Sequence, residues 1–274
     1  MDAGTCISAF LQSSPLNPLE TRVLLQHALG WSRIELITRS EHPLTVEEAA
    51  LLSSLVQRRL GGEPIAYIVG TREFYSLSFE VTPAVLIPRP ETELLVELAM
   101  QFLPFNGSVL DMGTGSGAIA IAIAHTRPDA VVTALDIRHP ALEVADRNAH
   151  RHNVNIEFVQ SDWFVELGDR KFDLIISNPP YIIDGDHHLS EGDLRFEPLD
   201  ALTDHGDGLS AIRTILSHAN KHLTSHGSVF IEHGYDQAIA VRQLLLEYQF
   251  IDVQSWRDLA GIERVSGGTM QHFS

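Results

Sequence analysis

The sequence predicts an α/β protein: a mostly parallel sheet covered by helices on both faces, preceded by a small helical domain. From residue 107 onward, short apolar runs alternate with helix-period segments, the pattern of parallel strands joined by crossover helices. The first ~65 residues carry leucines at helix spacing and no strand-like run. A glycine-rich turn, Asp111-Met112-Gly113-Thr114-Gly115-Ser116-Gly117, sits between the first strand and the helix after it. The carboxyl ends of parallel strands are where such sheets hold ligands.

In the helical domain, Asn17-Pro18 caps a helix that carries Leu19, Val23, Leu24, Leu25, Ala28 and Leu29. Leu29-Gly30-Trp31 stops that helix and restarts the chain. Thr45 and Glu48 match a capping box ahead of Ala49, Leu51, Leu52, Leu55 and Leu60, and Gly61-Gly62 ends the segment. Such stripes build a core first; presenting one face to a partner is the second reading. Residues 67–70 and 74–81 then read as a short hairpin. Ile87-Pro88-Arg89-Pro90 stiffens the chain. A helix begins at Glu91-Thr92-Glu93, with Leu94, Leu95, Leu98 and Phe102 on its apolar face. Arg89 and Glu91 are candidates to bridge this linker to the α/β domain. The expected boundaries are 1–66 for the helical domain, 67–90 for the hairpin and linker, and 91–274 for the α/β domain.

Within the α/β domain, strands are expected at 108–111, 130–135, 155–159, 172–177 and 228–232. Helices are expected at 118–124, 140–152, 209–223 and 235–248, and residues 251–253 and 264–273 supply the last two strands.

Composition bounds the partners. Formal net charge is −17, from 19 basic against 36 acidic residues. Binding a phosphate backbone draws on a Lys/Arg surplus, and the whole-protein field here repels nucleic acid. An uncharged or basic protein surface is the expected partner. Cys6 is the only cysteine, so an intrachain disulfide and a cysteine-rich metal site are excluded. His187-His188 and His233 match no metal spacing, and no metal is expected. Residues 1–16 lack the basic and long apolar stretches of a secretory signal. No apolar run reaches the ~18 residues of a membrane span. A cytoplasmic monomer without membrane partners is the expectation.

The glycine turn departs from the Gly-x-Gly-x-x-Gly spacing of pyrophosphate sites, because its glycines alternate at 113, 115 and 117. No P-loop lysine follows. Asp111 is awkward beside phosphate and well placed for a cationic amino-acid portion. Asp136 falls 19 residues beyond Gly117, at the end of the second strand. A carboxylate there can accept both hydroxyls of a ribose. Asp162 can accept from an adenine amino group, and Trp163 can stack on the base. The set suits a nucleoside cofactor that needs no phosphate site, and S-adenosylmethionine fits, bound by residues 113–117 (Gly113, Thr114, Gly115, Ser116, Gly117), Asp136, Asp162 and Trp163.

Asn178-Pro179-Pro180-Tyr181 follows the apolar run at 172–177. Proline after Asn178 restricts its backbone to extended forms. Pro179 and Pro180 bring carbonyl acceptors without backbone N–H groups. A planar amino group with two hydrogens can donate to Asn178 Oδ1 and to the Pro179 carbonyl, while Tyr181 packs against it. Acceptors that favour a partly positive nitrogen help the transition state more than the ground state. Asn178, Pro179 and Tyr181 are the expected catalytic residues. Glu197, in Arg195-Phe196-Glu197-Pro198, stands in the long loop beyond and is expected to order it or to meet substrate.

These motifs resemble class I S-adenosylmethionine-dependent methyltransferases, which have a Rossmann-like fold. Together with Glu63-Pro64-Ile65-Ala66-Tyr67-Ile68-Val69-Gly70, Phe74-Tyr75 and Ile87-Pro88-Arg89-Pro90-Glu91-Thr92-Glu93, the chain is similar to the peptide chain release factor N5-glutamine methyltransferases over nearly its whole length. The tetrapeptide alone is shared with adenine-N6 methyltransferases, so the linker and the Glu197 segment carry the finer likeness. The resemblance implies methylation of the glutamine amide in the Gly-Gly-Gln motif of class 1 release factors. It implies cofactor binding by residues 113–117, Asp136, Trp163 and Asn178, and a grip on the glutamine by Asn178, Pro179, Pro180 and Tyr181. It implies release-factor recognition by residues 1–80. Met112 and the polar run 204–208 depart from the common family pattern.

Overall fold

A computed structural model describes residues 4–270. The chain divides into two compact units, one ending at Thr71 and the other beginning at Arg72.

The first unit is helical. Helices α1 (Ile7–Ser13), α2 (Pro18–Leu29), α3 (Arg33–Thr38), α4 (Val46–Leu60) and α5 (Ile65–Val69) enclose Ile7, Phe10, Leu24, Leu25, Leu36, Leu52, Leu55 and Ile68. The Asn17 side chain caps α2 by accepting from Glu20 N at 2.9 Å, and Gly30 closes it in the left-handed region at φ 66°. Thr45 and Glu48 form the expected capping box at the start of α4. Residues 67–70, expected as a strand, belong instead to α5 and its cap. Pro64 precedes the helix and Gly70 ends it at φ 75°, so proline and glycine bracket one helical turn and a half. The hairpin starts later, as β1 (Thr71–Phe74) and β2 (Leu77–Glu80).

In the second unit, a 3₁₀ turn at Pro90–Thr92 leads into α6 (Glu93–Phe102). Its buried face is Leu95, Val96, Leu98 and Ala99; Phe102 is partly exposed and rests edge-on against Phe230. A seven-stranded sheet follows, from β3 (Ser108–Met112), β4 (Val131–Asp136), β5 (Glu157–Gln160), β6 (Phe172–Ser177), β7 (Leu223–Glu232), β8 (Phe250–Arg257) and β9 (Glu263–Met270). Its order is β5-β4-β3-β6-β7-β9-β8; β9 runs antiparallel to both neighbours, and the other pairs are parallel. Helices α7 (Ala118–Thr126), α8 (His139–His152), α9 (Ser210–His222) and α10 (Ala238–Glu247) make the crossovers. The tail expectation reached residue 273; β9 ends at Met270, and Gln271 to Phe273 lie outside the described residues.

The strands divide their side chains between two cores, as a sheet buried on both faces requires. Val109, Leu174, Ile176 and Phe230 join the core under α6 and α7. Leu110, Met112, Ile175, Val229 and Ile231 join the core under α9 and α10. Helix α7 reads Ala-Ile-Ala-Ile-Ala-Ile-Ala and is buried throughout residues 118–124. A helix apolar on every side belongs in an interior. The left-handed Gly117 (φ 82°) turns the chain into it, and a Cβ there would lie 2.8 Å from Ile121 Cδ1 and 3.1 Å from Ala145 Cβ.

Candidate active site

Register sets the site. Met112 pairs with Ser177, so the glycine turn and Asn178 leave adjacent strand ends together. Met112 also pairs with Leu135, and Asp136 with Gln160, so the turns after β4 and β5 open on the same edge. This is the point where the strand order reverses, the ligand crevice of open α/β sheets. A cavity of about 420 Å³ lies there, within the usual size range for small-molecule sites. Its walls include Gly113, Gly115, Asp136, Asp162, Trp163 and Asn178.

The glycine turn is held by its backbone. Gly113 N and Thr114 N both donate to Leu135 O, at 2.9 and 2.8 Å. Gly113, Gly115 and Gly117 all have positive φ, which glycine adopts without a Cβ penalty. Gly113 and Gly115 reach the cavity wall; Thr114 and Ser116 are buried, and Gly117 is packed under α8. Asp111 is buried: its Oδ2 accepts from Thr114 Oγ1 at 2.7 Å and from Ala120 N at 3.2 Å, and Oδ1 has no partner. Burial pushes its carboxyl up to about 7.

Asp136 grips the turn on both sides. Oδ2 accepts from Gly115 N at 3.0 Å and Oδ1 from Arg138 N at 2.9 Å. Each carboxylate oxygen keeps a further lone pair for a hydroxyl. Trp163 sits at φ 49°, a strained position for a bulky residue, which is a mark of functional turns. Its half-buried ring rests on the core under α9, while Asp162 is exposed. Asp200 and Asp204 also line the cavity, so carboxylates outnumber its single guanidinium, Arg138. That balance suits a cationic ligand and opposes a phosphate.

Asn178 is half-buried and donates from Nδ2 to Thr92 Oγ1 at 3.2 Å. Pro180 joins it on the cavity wall; Pro179 is buried, and neither Pro179 nor Tyr181 is part of that wall. The Tyr181 hydroxyl instead donates to Glu232 Oε1 at 3.4 Å, and burial beside this carboxyl raises the phenol. Burial also pushes Glu232 up to about 7.

Glu197 stands apart from the cavity wall. Its fully buried carboxylate pairs with Arg89 and accepts from Ile87 N at 3.0 Å. The expected Arg89–Glu91 bridge is thus replaced by Arg89–Glu197, which ties the linker to the long loop. Because both Glu197 oxygens are engaged there, the residue orders that loop. His187 and His188 lie exposed beside Asp186, whose Oδ1 accepts from His188 N at 2.9 Å. His233 is buried and bonded to Gly234 O and Ser266 Oγ.

Sequence reading missed Thr92 and Glu232. Glu232 was detectable as a carboxylate ending the apolar run Val229-Phe230-Ile231; Thr92 was hidden between two acids that read as helix start.

Two family models match: the PrmC N-terminal domain over residues 2–70 and the methyltransferase small domain over residues 90–192. The release factor glutamine methyltransferase of Burkholderia pseudomallei is 53% identical over 95% of this chain and 94% of its own. The chain belongs to the release factor glutamine methyltransferase family. The family's Neisseria gonorrhoeae member is 50% identical over 96% of this chain and 97% of its own. A solved methyltransferase from Pyrococcus furiosus shares the fold, with TM-score 0.56 at 22% identity, over 81% of this chain and 100% of that one. As a member of the release factor glutamine methyltransferase family, the chain is a methyltransferase. Among the described residues, no helix is long and apolar enough to cross a membrane.

Proposed function

We propose that this chain transfers a methyl group from S-adenosylmethionine to the side-chain amide nitrogen of a glutamine, in the Gly-Gly-Gln motif of a class 1 release factor. The observation that carries the reading is the placement of Asn178 on the wall of an acidic cavity, one strand away from the Gly113–Gly115 turn.

The residues fit the cofactor by the chemistry of their donor and acceptor sets. Asp136 offers spare acceptor sites for ribose hydroxyls, and Trp163 offers a ring face for adenine. Asp111, with its unpartnered Oδ1, offers an acceptor beneath the turn for an ammonium group, whose charge would draw back down the carboxyl that burial pushes up. The bound cofactor supplies an electrophilic methyl group. An amide nitrogen is a poor nucleophile because its lone pair is conjugated. Asn178 Oδ1 and the Pro179 carbonyl accept its two hydrogens and fix its plane toward the methyl. As the nitrogen gains positive charge, those acceptors strengthen, so they lower the barrier more than they tighten substrate binding. Holding the reactants in line supplies much of the remainder. One N–H proton leaves after transfer, so no strong base at the nitrogen is needed.

The acidic surface supports a protein substrate over nucleic acid. Recognition of the release factor is assigned to residues 1–80, and Pro180 and Tyr181 complete the grip on glutamine. The test is transfer of labelled methyl to purified release factor, with its Gly-Gly-Gln glutamine replaced as control. Label on the parent factor and none on the control is expected. Label on DNA or on another protein instead would overturn the assignment.

A further inference from the structure

The tetrapeptide ends on a carbonyl that must find its donor elsewhere. Tyr181 O lies against Gly208, where an added Cβ would stand 2.5 Å from it. The Gly208 N–H is spent on Asp204 Oδ1 at 3.0 Å, and Pro179 and Pro180 have no N–H to give. Gln237 supplies the missing donors. Its Nε2 donates to Tyr181 O and to Gly208 O, each at 3.1 Å, so one NH2 group serves two carbonyls.

The orientation of this carboxamide has one solution. Oε1 accepts from Gly234 N at 2.7 Å, and a backbone N–H can only donate. The reversed amide would set its oxygen against two carbonyls and its NH2 against an N–H, leaving all three backbone groups unpaired. Gly234 is itself fixed. Its carbonyl accepts from Gln237 N at 3.1 Å and from His233 Nδ1 at 2.9 Å. His233 Nε2 then meets Ser266 Oγ of β9 at 2.8 Å, which pins the turn to the sheet.

Each partner of Gln237 belongs to a different wall of the cavity. On one side, Pro180 precedes Tyr181 and lines the cavity beside Asn178. On the other, Asp204, His205 and Ser210 line it, in a loop wound around the Asp204 carboxylate: Oδ1 accepts from Gly206 N and Gly208 N, and Oδ2 from Ser210 N. Gln237 lies outside the cavity wall. Because proline fixes φ, a shift of Tyr181 O is passed back along Pro180 to the Pro179 carbonyl.

We propose that Gln237 is a positioning residue that couples the acceptor tetrapeptide to the cofactor wall formed by residues 204–210. The inference rests on the glutamine-methylation reading.

The test uses the full chain with Q237M (similar length, no polar atoms) and Q237E (acceptor for Gly234 N kept, both donors lost). Ile182 N still donates to Leu202 O and Asp184 N to Gly206 O, both at 3.0 Å, so the loop stays attached and the variants should fold. In release-factor methylation at saturating cofactor, both variants should lose about tenfold or more in kcat, since misplacement by about 1 Å can cost about 10². KM for the release factor should stay within about threefold, because Gln237 does not touch substrate. Either variant within about threefold of the parental kcat overturns the inference, whatever its melting temperature. A second readout uses the parent alone. With ¹⁵N-labelled glutamine, the Gln237 side-chain hydrogens should exchange with water at least about tenfold more slowly than those of the exposed Gln57. Equal exchange overturns the clamp whatever the substrate is; a parent enzyme that leaves the release factor unlabelled overturns only the substrate assignment.

Discussion

Replacing Asn178 by alanine separates methyl transfer from cofactor binding. In the parent, Nδ2 is committed to Thr92, so Oδ1 is the part of this side chain left for the substrate. Removing one preorganised polar contact to developing charge typically lowers kcat by about 10²–10³-fold, or roughly 2.7–4 kcal/mol. The change should leave the framework standing. Asn178 is uncharged and only half-buried, so no charge is stranded. The proposed cofactor contacts at Asp136 and Gly113–Gly115 are untouched, and the affinity should stay within about tenfold, or ~1.4 kcal/mol. Single-turnover methyl transfer at saturating cofactor gives the first quantity, and calorimetry with S-adenosylhomocysteine the second. Asn178→Asp sharpens the result. Its carboxylate cannot donate to Thr92 as Nδ2 does and so loses the contact that leaves one oxygen free for the substrate; it should be as inactive as alanine. A kcat within threefold of the parent, or a loss that saturating cofactor fully restores, would refute the transition-state role.

Other predictions rest on the framework. Arg89→Ala strands the Glu197 carboxylate with only the Ile87 N–H, and should destabilise the chain by about 2–4 kcal/mol, below the full loss for a buried pair because Arg89 is partly exposed; denaturant unfolding of R89A and of the double variant R89M/E197L, which should recover part of it, checks this. Gly267→Ala places a Cβ 2.2 Å from Phe230 Cδ1 and 2.3 Å from Val229 O, and thermal unfolding should show a loss of about 1–3 kcal/mol. Glu232 titrates near 7 in the fold against about 4.5 when unfolded, so the folded state holds its proton longer. Stability from this group is therefore lost as pH rises from about 4.5 to 7, by roughly 2–3 kcal/mol, and the stability of E232Q relative to the parent should grow across that window. Parallel stability curves for the two would remove the titration from Glu232.

Much of this was legible because each signal had one local cause. The strand ends announced themselves through apolar runs stopping at Asp111, Asp136 and Ser177. The alternating glycines of the turn all take positive φ, which no other residue adopts so readily. Where reading failed, the deciding contact lay far along the chain. Arg89 has two acids close by in sequence, yet it pairs with Glu197. Residues 67–70 look strand-like by composition, but Pro64 and Gly70 bracket a helix whose Ala66, Tyr67 and Ile68 are buried. The expectation for Tyr181 concerned its ring; the carboxyl that β7 offers its hydroxyl, Glu232, lies 51 residues further on and was not anticipated.

The position of β9 ties the tetrapeptide to a late stage of synthesis. Strand β7 carries Glu232, and its outer ladder is completed only when Val265 to Thr269 pair with Glu232 to Ser228. Strand β8 is made first yet ends outside β9, so it cannot dock on β7 in its native place until the later strand lies between them. A nascent or truncated chain ending at Arg257 therefore has its glycine turn and Asn178 already encoded, but an open edge beside Glu232. Until that edge is filled, the chain carries the exposed strand hazard of any unfinished sheet.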